Sequence, residues 1–112
     1  MQLLDIAVTD ADAWRVISLV GQLDVATAAQ VRHVLQEEQY EPATWVVLDL
    51  SQLEFLDSFG LGVLVGGLRR ARTGGGRLVV AAAAPRIVRV LEVTGLDAVF
   101  EVAGSVEEVV GG

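Results

Sequence analysis

Hydrophobic and polar positions along the chain alternate between a two-residue and a 3.6-residue rhythm, the two periods of strand and helix. Residues 3–8 alternate, placing Leu4, Ile6 and Val8 on one side of a half-buried strand. Thr9-Asp10-Ala11-Asp12 reads as a turn, and residues 14–20 as a second strand that Gly21 ends. So short a connection predicts an antiparallel hairpin. Asp24 sits where a helix N-cap belongs, ahead of a helix over 25–39 whose inner stripe is Ala28, Val31 and Leu35. Beyond Pro42, residues 45–50 form a strand. Ser58 opens a helix to about Thr73 that Gly74-Gly75-Gly76 stops. Residues 78–83 predict the next strand. Pro85 suits the first turn of a helix with Ile87, Val90 and Leu91 inward and Gly95 closing it. Residues 99–102 predict a last short strand, and Ser105-Val106-Glu107-Glu108 is a capping box for a brief final helix.

From the second strand onward this is a βαβ succession, so parallel pairing is expected. The fold class is α/β: one domain over 1–112, with a mixed, mostly parallel sheet of about five strands, an opening hairpin and about four helices.

Composition narrows the chemistry. Apolar residues make up 53% of the 112 residues, enough for a core at this size. The longest uncharged apolar run, 59–68, has ten residues, against the ~20 that span a bilayer. No basic cluster precedes an apolar stretch at the N-terminus, so neither a signal peptide nor a membrane association is expected, and the setting is cytoplasmic. The absence of cysteine removes disulfides, thiolate nucleophiles and cysteine metal sites. The single histidine, His33, lies between Arg32 and Val34 and reads as a surface residue, which leaves acid–base catalysis poorly supplied. With net charge −7, direct binding to nucleic acid is not expected. All eight basic residues are arginine; Arg69, Arg70 and Arg72 read as a solvated helix end that complements the dipole. No metal, cofactor or catalytic residue is predicted.

The informative stretch is Leu50-Ser51-Gln52-Leu53-Glu54-Phe55-Leu56-Asp57-Ser58-Phe59-Gly60-Leu61-Gly62. Taken alone, Ser58 is a helix cap worth ~1 kcal/mol. Its surroundings ask for more. Gly62, Gly66 and Gly67 each cost the following helix about 0.8–1 kcal/mol relative to alanine. The four-residue spacing of Gly62 and Gly66 predicts close packing on the sheet, while Gly60 is expected to bare backbone beside Ser58. Asp24 and Asp57 begin consecutive helices, so their turns should lie side by side at the C-terminal edge of the sheet, where open α/β sheets place function. A helix N-terminus there also suits a phosphate group. Gly60-x-Gly62-x-x-x-Gly66 has the wrong spacing for a dinucleotide fingerprint, and the chain has no P-loop lysine.

Gly21-Gln22-Leu23-Asp24, Asp49-Leu50-Ser51, Asp57-Ser58-Phe59-Gly60-Leu61-Gly62 and Gly95-Leu96 together resemble the STAS family, and within it the stand-alone bacterial anti-sigma factor antagonists. The resemblance covers essentially the whole chain. It implies a binding module that is not an enzyme. Its partner would be an anti-sigma factor that is also a serine kinase, from which a sigma factor is released by competition. It further implies that phosphorylation of Ser58 switches the module off and that a serine phosphatase restores it. The implied partner-binding residues are Asp24, Asp57, Ser58, Phe59, Gly60 and Leu61. Where the family usually has a second Ser or Thr after the phosphorylated serine, this chain has Phe59, which adds apolar area and removes an alternative acceptor.

A phosphoserine adds about −1.5 to −2 of charge, favoured by the helix dipole and opposed by Asp57 to a similar extent. Folding stability is therefore expected to change little, and the switch to act on binding. The alternative is a STAS adaptor or scaffold subunit of a transporter or signalling assembly in which Ser58 stays unmodified. A small enzyme is disfavoured, since neither Ser58 nor Ser105 has a base in its own segment.

Overall fold

The computed structural model describes residues 3–81 and 83–112. Strand β1 (Leu4–Ala11) turns through Asp12 and Ala13 into β2 (Trp14–Leu23), antiparallel from Leu4 opposite Gly21 to Ala11 opposite Trp14. The turn is tighter than the four-residue cluster suggested: Asp12 takes a positive φ of 55°, which a short polar side chain tolerates. Next come α1 (Ala28–Glu38), β3 (Trp45–Asp49), β4 (Leu53–Leu56), α2 (Ser58–Thr73), β5 (Arg77–Ala81) and α3 (Pro85–Val93). A 3-10 turn at Leu96–Ala98, β6 (Glu101–Ala103) and α4 (Val106–Val110) complete the described order. The sheet runs β1-β2-β3-β5-β6, and every pairing after the hairpin is parallel.

Six strands, not five, are present among the described residues. The additional one, β4, pairs with the far end of β2, where β3 has left off. Gly21 lies opposite Leu53 and Gln22 opposite Phe55, so Glu54 is an extra residue bulging from β4. The bulge lets Leu53 and Leu56 both face the core although they are three apart. β2 accordingly continues through Gly21 to Leu23. Gly21 holds φ 118°, and a Cβ there would lie 2.3 Å from the Leu3 carbonyl oxygen, so the bend requires glycine.

Other boundaries shift modestly. α1 starts at Ala28 with Thr27, not Asp24, at the N-cap position, because Asp24 to Thr27 form a turn of their own. β6 begins at Glu101, and Phe100, expected in that strand, is buried in the core. β5 begins at Arg77; its expected extension to 83 crosses residue 82, which lies outside the described residues. Ser105 caps α4 as expected, its Oγ accepting from the Glu108 N–H at 3.1 Å.

The two faces of the sheet are covered unequally. One face carries α1, α2 and α3 over the main core, where Ile17, Leu19, Val46, Leu48, Leu78 and Val80 meet Leu35, Leu64, Ile87 and Leu91. Among the described residues the other carries α4 alone, whose Val106, Val109 and Val110 pack on Trp14, Val16, Val47, Val79 and Ala81. Across that face Trp14, Trp45 and Arg77 are successive cross-strand neighbours. The indoles lie 5.2 Å apart, and the Arg77 guanidinium sits 5.0 and 5.3 Å from their centres. Its bonds to Glu101 raise the Arg77 pKa above the ordinary arginine value.

Candidate functional site

Strand β4 runs directly into α2, so one residue, Asp57, makes the whole strand-to-helix turn. Asp57 is the N-cap in extended conformation, and its Oδ1 accepts from the Gly60 N–H at 3.0 Å. Its Oδ2 accepts from the Val25 N–H at 3.1 Å, in the turn between β2 and α1. The Asp57 N–H donates to the Leu23 carbonyl at 3.2 Å. One carboxylate thus joins two adjacent strand-to-helix turns, which are side by side as expected.

Asp24 serves the neighbouring turn. Its Oδ1 accepts from the Ala26 N–H at 2.9 Å, and its carbonyl accepts from the N–H groups of Thr27 and Ala28. Thr27, only 3% exposed, is the locking residue: its hydroxyl donates to the Gln22 carbonyl at 2.8 Å and accepts from the Asp24 N–H at 3.0 Å. Thr27 and Val25 were not singled out from the sequence. The Asp24-x-x-Thr27 spacing, typical of a hydroxyl closing its own turn, is the signal that would have found Thr27.

Ser58 is the first helical residue and not the cap, a role that Asp57 holds. Its side chain is exposed and has no hydrogen-bond partner among the described residues. The Ser58 and Phe59 N–H groups open the helix, where no intrahelical acceptor exists. Phe59 is exposed as expected, and Val25 is exposed beside it across the Asp57 link. Ser58 is therefore an exposed hydroxyl on a corner that Asp57 braces, with exposed apolar Phe59 next in sequence and its own and the Phe59 N–H without an intrahelical acceptor.

Gly60 and Leu61 lie beneath this surface. A Cβ on Gly60 would come within 2.6 Å of the Leu23 side chain and 2.8 Å of Leu56, so Gly60 seats the helix end and does not bare backbone. Gly67 makes the second close approach: a Cβ there would lie 3.1 Å from the side chains of both Leu35 and Leu78. Gly62 and Gly66, expected on the sheet side, instead face away: a Cβ on Gly62 would meet nothing within 4 Å, and one on Gly66 only Arg70.

The arginines at the far end of α2 do more than complement its dipole. Arg70 Nε donates to Gln39 at 3.1 Å, and Arg72 to the Val99 carbonyl at 3.0 Å. Burial, with Arg32 nearby, lowers the Arg70 pKa from the ordinary arginine value. His33 is exposed and pairs with Glu37 at 2.8 Å. A hollow of about 420 Å³ lined by Trp14, Trp45, Arg77 and Glu101 lies at the opposite ends of the strands; Ser58 stands on a protruding corner instead. No helix among the described residues is long and apolar enough to cross a membrane.

A family model of the STAS domain matches residues 5–109. The anti-sigma-B factor antagonist of Listeria monocytogenes is 33% identical over 86 residues, covering 77% of this chain and 75% of that protein. The anti-sigma-B factor antagonist of Staphylococcus aureus is 29% identical over 99 residues, covering 88% of this chain and 92% of its own length. Among solved structures, an anti-sigma factor antagonist from Mycobacterium paratuberculosis superposes with a TM-score of 0.83 at 29% identity, covering 94% of this chain and 89% of that one.

Proposed function

The chain belongs to the STAS domain family, and from that membership we propose that it acts as an anti-sigma factor antagonist switched by phosphorylation of Ser58. It binds an anti-sigma factor that is also a serine kinase, and by occupying that protein frees the sigma factor. Transcription then changes without contact between this chain and DNA. Transfer forms a bond from Ser58 Oγ to the γ-phosphorus of ATP, ADP leaves, and the hydroxyl proton passes to a base of the kinase. A serine phosphatase reverses the step by hydrolysis.

The observation that carries this reading is the state of Ser58: an exposed, unpartnered hydroxyl at the first helical residue, held on a corner that Asp57 fixes from two sides. A phosphate there lies next to the Ser58 and Phe59 N–H groups and the positive end of the dipole, worth ~0.3–1 kcal/mol. The adjacent Asp57 carboxylate opposes it. Near-cancellation leaves the fold intact and puts the effect in the interface, where about 3–4 kcal/mol of like-charge clash and steric block shifts affinity by roughly 100- to 1000-fold.

The test is intact mass after incubation with ATP and the anti-sigma factor kinase of the same genome. One phosphate, localised to Ser58 and absent in Ser58→Ala, is expected, with Ser58→Ala retaining affinity in the presence of ATP. Ser58→Asp should melt within a few degrees of the parent while binding poorly. A tight complex with no phosphate transfer would instead favour an adaptor or scaffold subunit.

A further inference from the structure

The helix-free half of the outer sheet face carries a second apolar surface that leads into the Ser58 corner. Gln22 N–H donates to the Leu3 carbonyl at 2.9 Å, and Gln22 is the register partner of Phe55, so Leu3, just before β1, forms one row with Gln22 of β2 and Phe55 of β4. Their neighbours in sequence, Leu4, Leu23 and Leu56, are buried on the core face, which puts the row on the opposite one. Val20, opposite Asp5, adjoins the row. Leu3, Val20 and Phe55 are 42%, 37% and 49% exposed, and Val25 and Phe59 over the sheet edge are 64% and 59% exposed.

No helix among the described residues covers these side chains. α4 packs on Trp14, Val16, Val47, Val79 and Ala81, a set that includes none of them. Yet the local backbone is shaped to present the row. The Gly21 bend and the Glu54 bulge together set Phe55 beside Gln22 while Leu53 and Leu56 stay inside. Three exposed apolar side chains grouped around the single polar Gln22 form a surface of the kind that interaction sites use.

We propose that Leu3, Val20 and Phe55 form a second contact for the same anti-sigma factor that addresses Ser58, so that the partner wraps over the sheet edge and does not rest on the helix end alone. This rests on the function proposed above. Two observations commit the surface to that partner. It borders the Ser58 corner along the chain, since only Leu56 and the Asp57 cap lie between Phe55 and Ser58. It is also edged with acid, by Asp5 opposite Val20, by Glu54 in the bulge and by Asp24 and Asp57 at the corner. The matching surface is an apolar prominence with arginine or lysine at its margin. A second copy of this chain, with net charge −7, is a poor fit.

The sheet contact acts at a distance from the transferred phosphate, so it contributes to docking and not to the chemical step. In Ser58 phosphorylation by the anti-sigma factor kinase of the same genome, Phe55→Ser is expected to raise KM about tenfold with kcat unchanged. In binding without ATP, the same variant should weaken affinity about tenfold, and Leu3→Ser should weaken it by a smaller factor. Circular dichroism of both variants should match the parent and their melting should fall by no more than a few degrees, because each side chain is only partly buried. Wild-type binding separates the two layers of the argument. If the parent neither binds the kinase nor is phosphorylated, the proposed function fails and takes this surface with it. If the parent binds and both folded variants bind equally well, the sheet contact alone is refuted. A dimer of the parent that the variants dissociate, with partner affinity unchanged, would assign the face to a second copy and overturn the proposal.

Discussion

Gly60 and Gly62 stand two residues apart in α2, and adding a methyl group to each should have opposite results. At Gly60 the new carbon would press on the Leu23 and Leu56 side chains and on the Leu23 carbonyl oxygen, 2.9 Å away. Gly60→Ala is expected to destabilise the protein by about 1–3 kcal/mol, the usual cost of overpacking. At Gly62 the carbon meets nothing within 4 Å, so Gly62→Ala should gain about 0.5–1 kcal/mol of helix stability. Urea denaturation with unchanged slopes would check both signs; equal effects would mean that the seating of α2 is wrong. The contrast also shows what residue spacing can convey. Gly62 and Gly66 do share one face, as their spacing requires. Which face turns inward is decided by Leu61, Leu64, Leu68 and Ala71, and that stripe selects Gly60 and Gly67.

Between elements, Asp57 is the joint. It ends β4, caps α2 and holds the β2–α1 turn through Val25. Asp57→Ala should cost about 1–2 kcal/mol, the upper range for a cap, with a fall in Tm of several degrees. Asp57→Asn keeps an acceptor for one of the two N–H groups and should fall between; a melt of Asp57→Ala equal to the parent would refute the joint. The order of elements from the opening hairpin through to the last helix was legible because each of those segments keeps its own rhythm. β4 was not legible. Its buried–exposed–exposed–buried order breaks the two-residue alternation, because the Glu54 bulge reorients the residues after it. The start of α1 was misplaced for a related reason: Asp24 bonds within its own turn, which resembles capping when only the residue types are visible. The Ser58 corner itself was legible in outline, since strand, aspartate, serine and apolar helix follow one another without a gap. The Val25 contact comes from a turn over thirty positions earlier and has no local signature.

At the scale of the whole molecule, charge and coverage divide the surface. A net charge of −7 on a body of 30 × 25 × 22 Å gives a field that favours a basic partner. Association with the proposed anti-sigma factor should slow at least about tenfold between low salt and ~1 M, as screening shortens from ~30 to ~3 Å. Stopped-flow mixing with a labelled partner would measure this, and a rate indifferent to salt would count against the basic margin.

Both tryptophans of the chain, Trp14 and Trp45, open their strands at the end of the sheet away from Ser58, separated from the corner by nearly the length of β2. The distance is roughly 30 Å at about 3.3 Å per strand residue. Native indole emission is thus a gauge of sheet integrity that is blind to events at the corner. A titration in which that emission stays constant while an extrinsic dye reports binding would record occupancy and foldedness in one cuvette, each with its own chromophore.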